Sequence, residues 1–173
     1  MEKQLDTIWG WYEDQIEALL DFKLKVQTEM TIQVSRSKFL NYSPDEINEY
    51  FSKSTDELEH LACFSLISAT EAALRIDFEE RANRKNLKNR QLVKIFREIN
   101  KNEDRIKLDE HILENWKNVI PAKKKAFSDF IGLLHYRHWL AHGRYWTPKF
   151  GQQYTVQTTF KIVDRLFDTI NAN

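Results

Sequence analysis

Only 4 glycines and 3 prolines are spread over 173 residues. A many-stranded sheet needs such residues at its tight reversals, so a chain this poor in them is driven toward long helices. Hydrophobic residues make up 42% and aromatics 13%, ample material for one packed interior at this length. No internal repeat, low-complexity tract or Pro/Ser-rich linker divides the chain. The sequence therefore predicts one domain over 1–173, an all-α, up-and-down bundle of five or six helices.

Periodicity places the helices. Leu5, Ile8, Trp9, Tyr12, Ile16, Leu19, Leu20 and Leu24 recur at three- and four-residue intervals, predicting a first helix over about 4–29. Ser43-Pro44-Asp45-Glu46 combines a capping box with proline at the first helical position. Ser54-Thr55-Asp56-Glu57 offers a second box, so about 55–83 is either a new helix or the continuation of one. Helices follow over roughly 91–100, 108–118, 122–142 and 154–170. Phe127, Phe130, Ile131, Leu134 and Ala141 stripe the helix over 122–142, and Gly143 stops it.

Charge and cysteine content exclude several classes. Lys plus Arg and Asp plus Glu number 26 each, so any nucleic acid must be met by a local patch. The lone Cys63 sits among Leu61, Ala62 and Phe64, a core setting; it permits no intramolecular disulfide and no paired-cysteine metal site. No apolar run approaches the roughly 18 residues of a membrane span, and the N-terminus has no apolar leader core, so a reducing cytoplasm is the expected setting. No cofactor signature is present.

The chemistry concentrates in His135-Tyr136-Arg137-His138-Trp139-Leu140-Ala141-His142-Gly143-Arg144-Tyr145-Trp146, which holds three of the five histidines and two of the five tryptophans. On an ideal helix Arg137 and His142 stand about 140° apart and about 7.5 Å along the axis. They cooperate only if the terminus unwinds at Gly143 or a second copy of the helix is brought up. His142 stands at the negative end of the helix dipole, and a histidine there can shuttle protons near neutral pH. An arginine beside it can grip a phosphate through two N–H groups and stabilise the charge of its transition state. Those are the parts needed to cleave RNA through its own 2′-hydroxyl without a metal.

Arg137-His138-Trp139-Leu140-Ala141-His142, an Arg-x4-His at the end of an apolar helix, resembles the signature of the HEPN superfamily. The resemblance implies a helical bundle acting as a metal-independent endoribonuclease in toxin–antitoxin or antiphage systems, with two domains juxtaposing their motifs in a homodimer. It implies that Arg137 organises the site and binds phosphate and that His142 is the acid or base. His138 occupies a position the family usually fills with a polar residue. Members paired with nucleotidyltransferase antitoxins often carry a tyrosine two residues after the histidine, whereas Tyr145 stands three after. A supporting role is assigned to His138, Glu71, Arg144 and Tyr145, and the implied partners are RNA, a second copy and an antitoxin protein. The alternative is a catalytically inactive HEPN-like module that holds RNA, a nucleotide or a protein partner.

Two further patterns stand apart from the family. His60, Phe64, Ile67, Glu71, Leu74 and Phe78 share one stripe, and a carboxylate among apolar neighbours needs a partner. Arg75 one turn on is the local candidate and Arg137 the distant one. Between Arg81 and Arg97 lie seven basic residues and no acidic one, which makes Arg81, Arg84, Lys85, Lys88 and Arg90 candidate phosphate contacts. His135, His138 and His142, at i, i+3 and i+7, are a conceivable metal set, set aside for want of a neighbouring Glu or Cys.

Overall fold

A helix of 40 residues, α2 (Pro44–Asn83), is the longest described element, about 60 Å at the α-helical rise. The computed structural model describes residues 2–28, 37–83, 88–144, 150–151 and 153–173. Around α2 are arranged α1 (Glu2–Thr28), α3 (Arg90–Asn102), α4 (Glu114–Val119), α5 (Lys124–Ala141) and α6 (Val156–Asn171), with no strand among the described residues. A six-residue π-helical turn, Leu108–Leu113, leads into α4. Helices α1, α3, α5 and α6 all pack against α2, giving an all-helical bundle with six α-helices among the described residues. No described helix is long and apolar enough to cross a membrane.

Local chemistry explains the ends. Ser43 and Glu46 close a reciprocal box: the Ser43 N–H donates to Glu46 Oε2 (2.7 Å) and the Glu46 N–H to Ser43 Oγ (3.3 Å). Thr155 and Thr158 do the same for α6, and the Asn89 side chain accepts the Leu92 N–H at the start of α3. At the end of α5, Gly143 adopts φ 80°, where a Cβ would be strained. The Arg144 N–H then reaches back to the Trp139 carbonyl (3.3 Å), the closing bond of a Schellman turn.

The second sequence box is not a helix start. Ser54 and Thr55 lie inside α2, and their hydroxyls donate to the Tyr50 and Phe51 carbonyls one turn back. Phe51 on one side and Ala62 on the other are buried, so the apolar stripe runs through the polar tetrad and keeps the helix whole.

The main core gathers Leu66, Leu74, Phe96, Trp116, Phe127, Phe130 and Leu166. A smaller cluster of Val26, Phe39, Ile47 and Phe51 joins the end of α1 to the start of α2. Leu20 and Leu24, expected on the buried stripe of α1, are instead 58% and 59% exposed. At this end Phe22 and Val26 take up the contacts with Phe39 and with Ile47 and Phe51 of α2. Ala141, expected on the α5 stripe, is also exposed.

Arg81 corrects one functional expectation. It is 6% exposed, its Nε donates to both Asp77 carboxylate oxygens at 2.9 Å, and Nη1 donates to the Lys88 carbonyl at 3.1 Å. The guanidinium carbon lies 4.7 Å from the centroid of the buried Trp116 ring. A cation so enclosed is a strut between α2 and the α2–α3 corner, with no hand left for RNA. Burial pushes the Asp77 carboxyl above its ordinary range despite the guanidinium beside it. Because removing one member of a buried pair strands the other charge, Arg81→Ala is expected to cost about 3 to 5 kcal/mol in urea unfolding, and an apolar double replacement of Arg81 and Asp77 to recover most of it.

Candidate functional site

Arg137 comes from the last two turns of α5 and points into a cleft of about 480 Å³. Its opposite wall is Glu71 and Arg75 of α2, and its floor is the 105–109 segment that enters the π-helical turn. Three ties build it. Arg137 Nε lies 3.4 Å from Glu71 Oε2, Arg75 Nη2 donates to Glu71 Oε1 (3.3 Å), and Arg75 Nη1 donates to the Ile106 carbonyl (3.2 Å). Both arginines offered as partners for Glu71 are used, one on each carboxylate oxygen. The carboxylate thus joins two helices, and Arg75 carries the link on to the loop.

The Arg137–Glu71 contact has ion-pair distance without hydrogen-bond geometry, and the buried Nε is left without a hydrogen-bond partner. The Arg137 side chain remains 32% exposed. One end of the guanidinium is therefore anchored while the rest faces the cleft, the arrangement a phosphate-binding arginine needs. Arg105 and Lys107 line the same cleft, so four cationic side chains there face the carboxylates of Glu71 and Asp109. Lys107 is held to Glu110 (2.8 Å), whereas Arg105 is exposed and has no ion pair among the described residues.

His138 is exposed and lines the cleft beside Arg137. His142 is the residue that ends α5, with φ −98° and ψ 25°, and its N–H donates to the His138 carbonyl (3.1 Å). The two imidazoles meet with ring centroids 4.1 Å apart. His142 is thus exposed and connected to the cleft through His138, which gives His138 a definite place between the motif's two ends. His135 also lines the cleft. The i, i+3, i+7 histidines are not gathered into a ligand set: among the described residues no group of three or more His, Cys, Asp or Glu is placed to hold a metal ion.

Other sequence candidates lie elsewhere. Arg144, in the left-handed region at φ 55°, makes a two-pronged pair with Glu57 (Nη1 to Oε2 2.6 Å, Nη2 to Oε1 3.0 Å) and reaches His60 Nδ1 at 2.7 Å. It straps the end of α5 to α2 instead of entering the cleft, because the Schellman turn redirects the chain. Lys88 and Arg90 are exposed at the α2–α3 corner and do not line the cleft. Arg84, Lys85 and Tyr145 lie outside the described residues. Cys63 is fully buried and accepts the Thr159 hydroxyl (3.5 Å); burial pushes its thiol up to about 11, a core thiol and no nucleophile.

Comparison with models of known families, with curated proteins and with solved structures returned no match. The functional reading therefore rests on the chain's own geometry. Sequence reasoning did not single out Arg105 and Lys107, nor His135 as part of a phosphate site. Arg105 and Lys107 sit in a segment of ordinary mixed charge, which the Arg75–Ile106 hydrogen bond and the packing of Ile106 and Leu108 on the core place over the cleft.

The Arg144 strap is acid-sensitive. Arg144 can only donate, so His60 Nδ1 must accept and the ring must be neutral. Burial first, then the Arg144 charge, hold the His60 pKa below its ordinary 6.5, against the opposing pull of Glu57, Asp56 and Glu59. With the folded-state value below the unfolded one, the unfolded chain takes up the proton first, and stability falls as pH drops through that range. Melting temperatures should decline between about pH 7.5 and about pH 5.5, and His60→Gln should flatten that decline.

Proposed function

We propose that this chain is a metal-independent endoribonuclease of the HEPN type, with Arg137 and His142 as its catalytic residues. The observation that carries the reading is Arg137 itself. It is anchored through Nε by a half-buried carboxylate and opens into a basic cleft whose rim leads, through His138, to an exposed His142. A purely structural arginine would be expected to spend its donors inside the protein, as Arg81 does.

In this reaction a histidine takes the proton of a ribose 2′-hydroxyl. The 2′-oxygen bonds to the adjacent phosphorus, the bond from phosphorus to the 5′-oxygen breaks, and a proton passes to that leaving oxygen. The products are a 2′,3′-cyclic phosphate and a 5′-hydroxyl end. Arg137 neutralises the charge on the phosphoryl oxygens as it grows. Arg105 and Lys107 hold neighbouring phosphates of the strand. His142 contacts His138 on the rim while Arg137 faces the cleft, so a second copy, pairing its own 137–142 segment across a two-fold axis, supplies the acid–base partner. Toxin–antitoxin or antiphage defence is the proposed setting, with an antitoxin protein as the natural restraint.

Purified protein should cut single-stranded RNA equally well with and without a chelator. His142→Ala and Arg137→Ala should each lower the cleavage rate by at least about 100-fold with helicity retained. Glu71→Gln, which loosens the anchor but leaves the guanidinium, should fall between them and the unaltered protein. Gel analysis of labelled RNA checks all three. Full cleavage by His142→Ala rules the assignment out, and RNA held tightly but left intact assigns the chain to the binding-module alternative.

A further inference from the structure

The opposite face of α5 borders a second cavity of about 390 Å³ whose chemistry is the reverse of the basic cleft. Its walls include Trp139 of α5 and Phe150 and Tyr154 ahead of α6, facing Asp56, Glu59 and His60 of α2. Lysine and arginine are missing from this lining among the described residues. The rings form one continuous aromatic assembly around the buried Tyr136, which stacks on Tyr154 (5.0 Å between centroids) and on Trp139 (5.8 Å) and meets Phe150 edge-on (5.4 Å). Gly132 makes room for it: a Cβ there would fall 2.5 Å from the Tyr154 hydroxyl. The Tyr154 ring is thereby seated against α5 and held as a fixed wall.

The charges around the cavity are equally specific. Arg144, the cation that reaches its edge at His60, is committed to Glu57. His60 accepts from that guanidinium and is neutral. Glu59 accepts the Tyr12 hydroxyl (3.3 Å), which orients its carboxylate without neutralising it, and Asp56 is exposed. Negative charge and electron-rich rings therefore converge on a space large enough for a small molecule, and no described residue of the lining is a lysine or arginine. An RNA strand is poorly suited to it, since its phosphates would approach Asp56 and Glu59.

We propose that this cavity binds a small organic ammonium ion, held by cation–π contact with Trp139, Phe150 and Tyr154 and by the carboxylates of Asp56 and Glu59. Tryptophan is the strongest of the ring partners for such an ion, and a carboxylate pair at the rim supplies the complementary charge. The site is separate from the basic cleft and does not depend on RNA cleavage. Because it shares α5 with Arg137 and His142, its occupant would sit against the helix that carries the proposed catalytic residues.

Titration calorimetry of the full chain with choline, with putrescine, with the neutral carbon isostere of choline and with uridine monophosphate tests the proposal. Choline or putrescine should bind saturably and about tenfold or more tighter than the neutral isostere. A preference for choline identifies a methylated ammonium as the ligand chemistry, and a preference for putrescine identifies a primary amine. Asp56→Asn combined with Glu59→Gln should weaken that binding by about tenfold. This variant keeps an acceptor for Tyr12, and its melting curve checks that it folds. The proposal is overturned if neither cation binds, if the isostere binds as well as choline, if the double variant binds unchanged, or if uridine monophosphate binds more tightly than either cation.

Discussion

The unbroken course of α2 is the constraint on which the other features depend. One rigid helix carries Glu57 and His60, which hold the end of α5, Glu71, which holds Arg137, and Asp77, which holds Arg81. Were α2 interrupted at Ser54 and Thr55, the strap at Glu57 and the anchor at Glu71 would belong to segments free to adjust independently. Continuity turns three ion pairs, two of them joining α2 to α5 and the turn that ends it, into a common frame, with four helices packed on it. The pairs differ in weight. The Arg144–Glu57 pair is half exposed and of modest energetic value, whereas Arg81–Asp77 is enclosed and costly to break.

Helix α5 acts as a divider between two electrostatic environments. Arg137, His138 and His135 face a basic cleft on one side, and Trp139 and Tyr136 face an acidic, aromatic cavity on the other. A net charge of zero conceals this separation, because cancellation over the whole chain says nothing about adjacent surfaces. Each face recruits its counterparts from a different part of α2, Glu71 and Arg75 for the cleft, Asp56 and Glu59 for the cavity. The Schellman turn at Gly143 sends Arg144 to Glu57 and away from the cleft, which leaves His142 as the last side chain of α5 at its exposed end.

What was legible in the sequence was mostly local. The Ser43–Glu46 box and the stop at Gly143 depend on residues within one turn, and both hold. The Ser54–Glu57 tetrad has the same letters and a different outcome, because its hydroxyls bond back to Tyr50 and Phe51 while the apolar stripe continues beneath them. Glu71 announced a partner by its apolar neighbours, yet whether that was Arg75 or Arg137 depended on how α5 docks, and the carboxylate takes both. Arg81 shares its sequence run with solvent-facing basic residues yet turns inward, where Asp77 one turn earlier on the same helix receives it. The Arg105–Lys107 floor and the aromatic cavity are assembled from distant segments and left no periodic trace.

The Glu71–Arg137 anchor is the point at which fold and proposed chemistry meet. A double-mutant cycle on the RNA cleavage rate, pairing Glu71→Gln with Arg137→Lys, measures that coupling directly. If Glu71 acts by holding Arg137, the combined variant cleaves no more slowly than Arg137→Lys alone. Losses that multiply, as for two independent residues, would contradict the account.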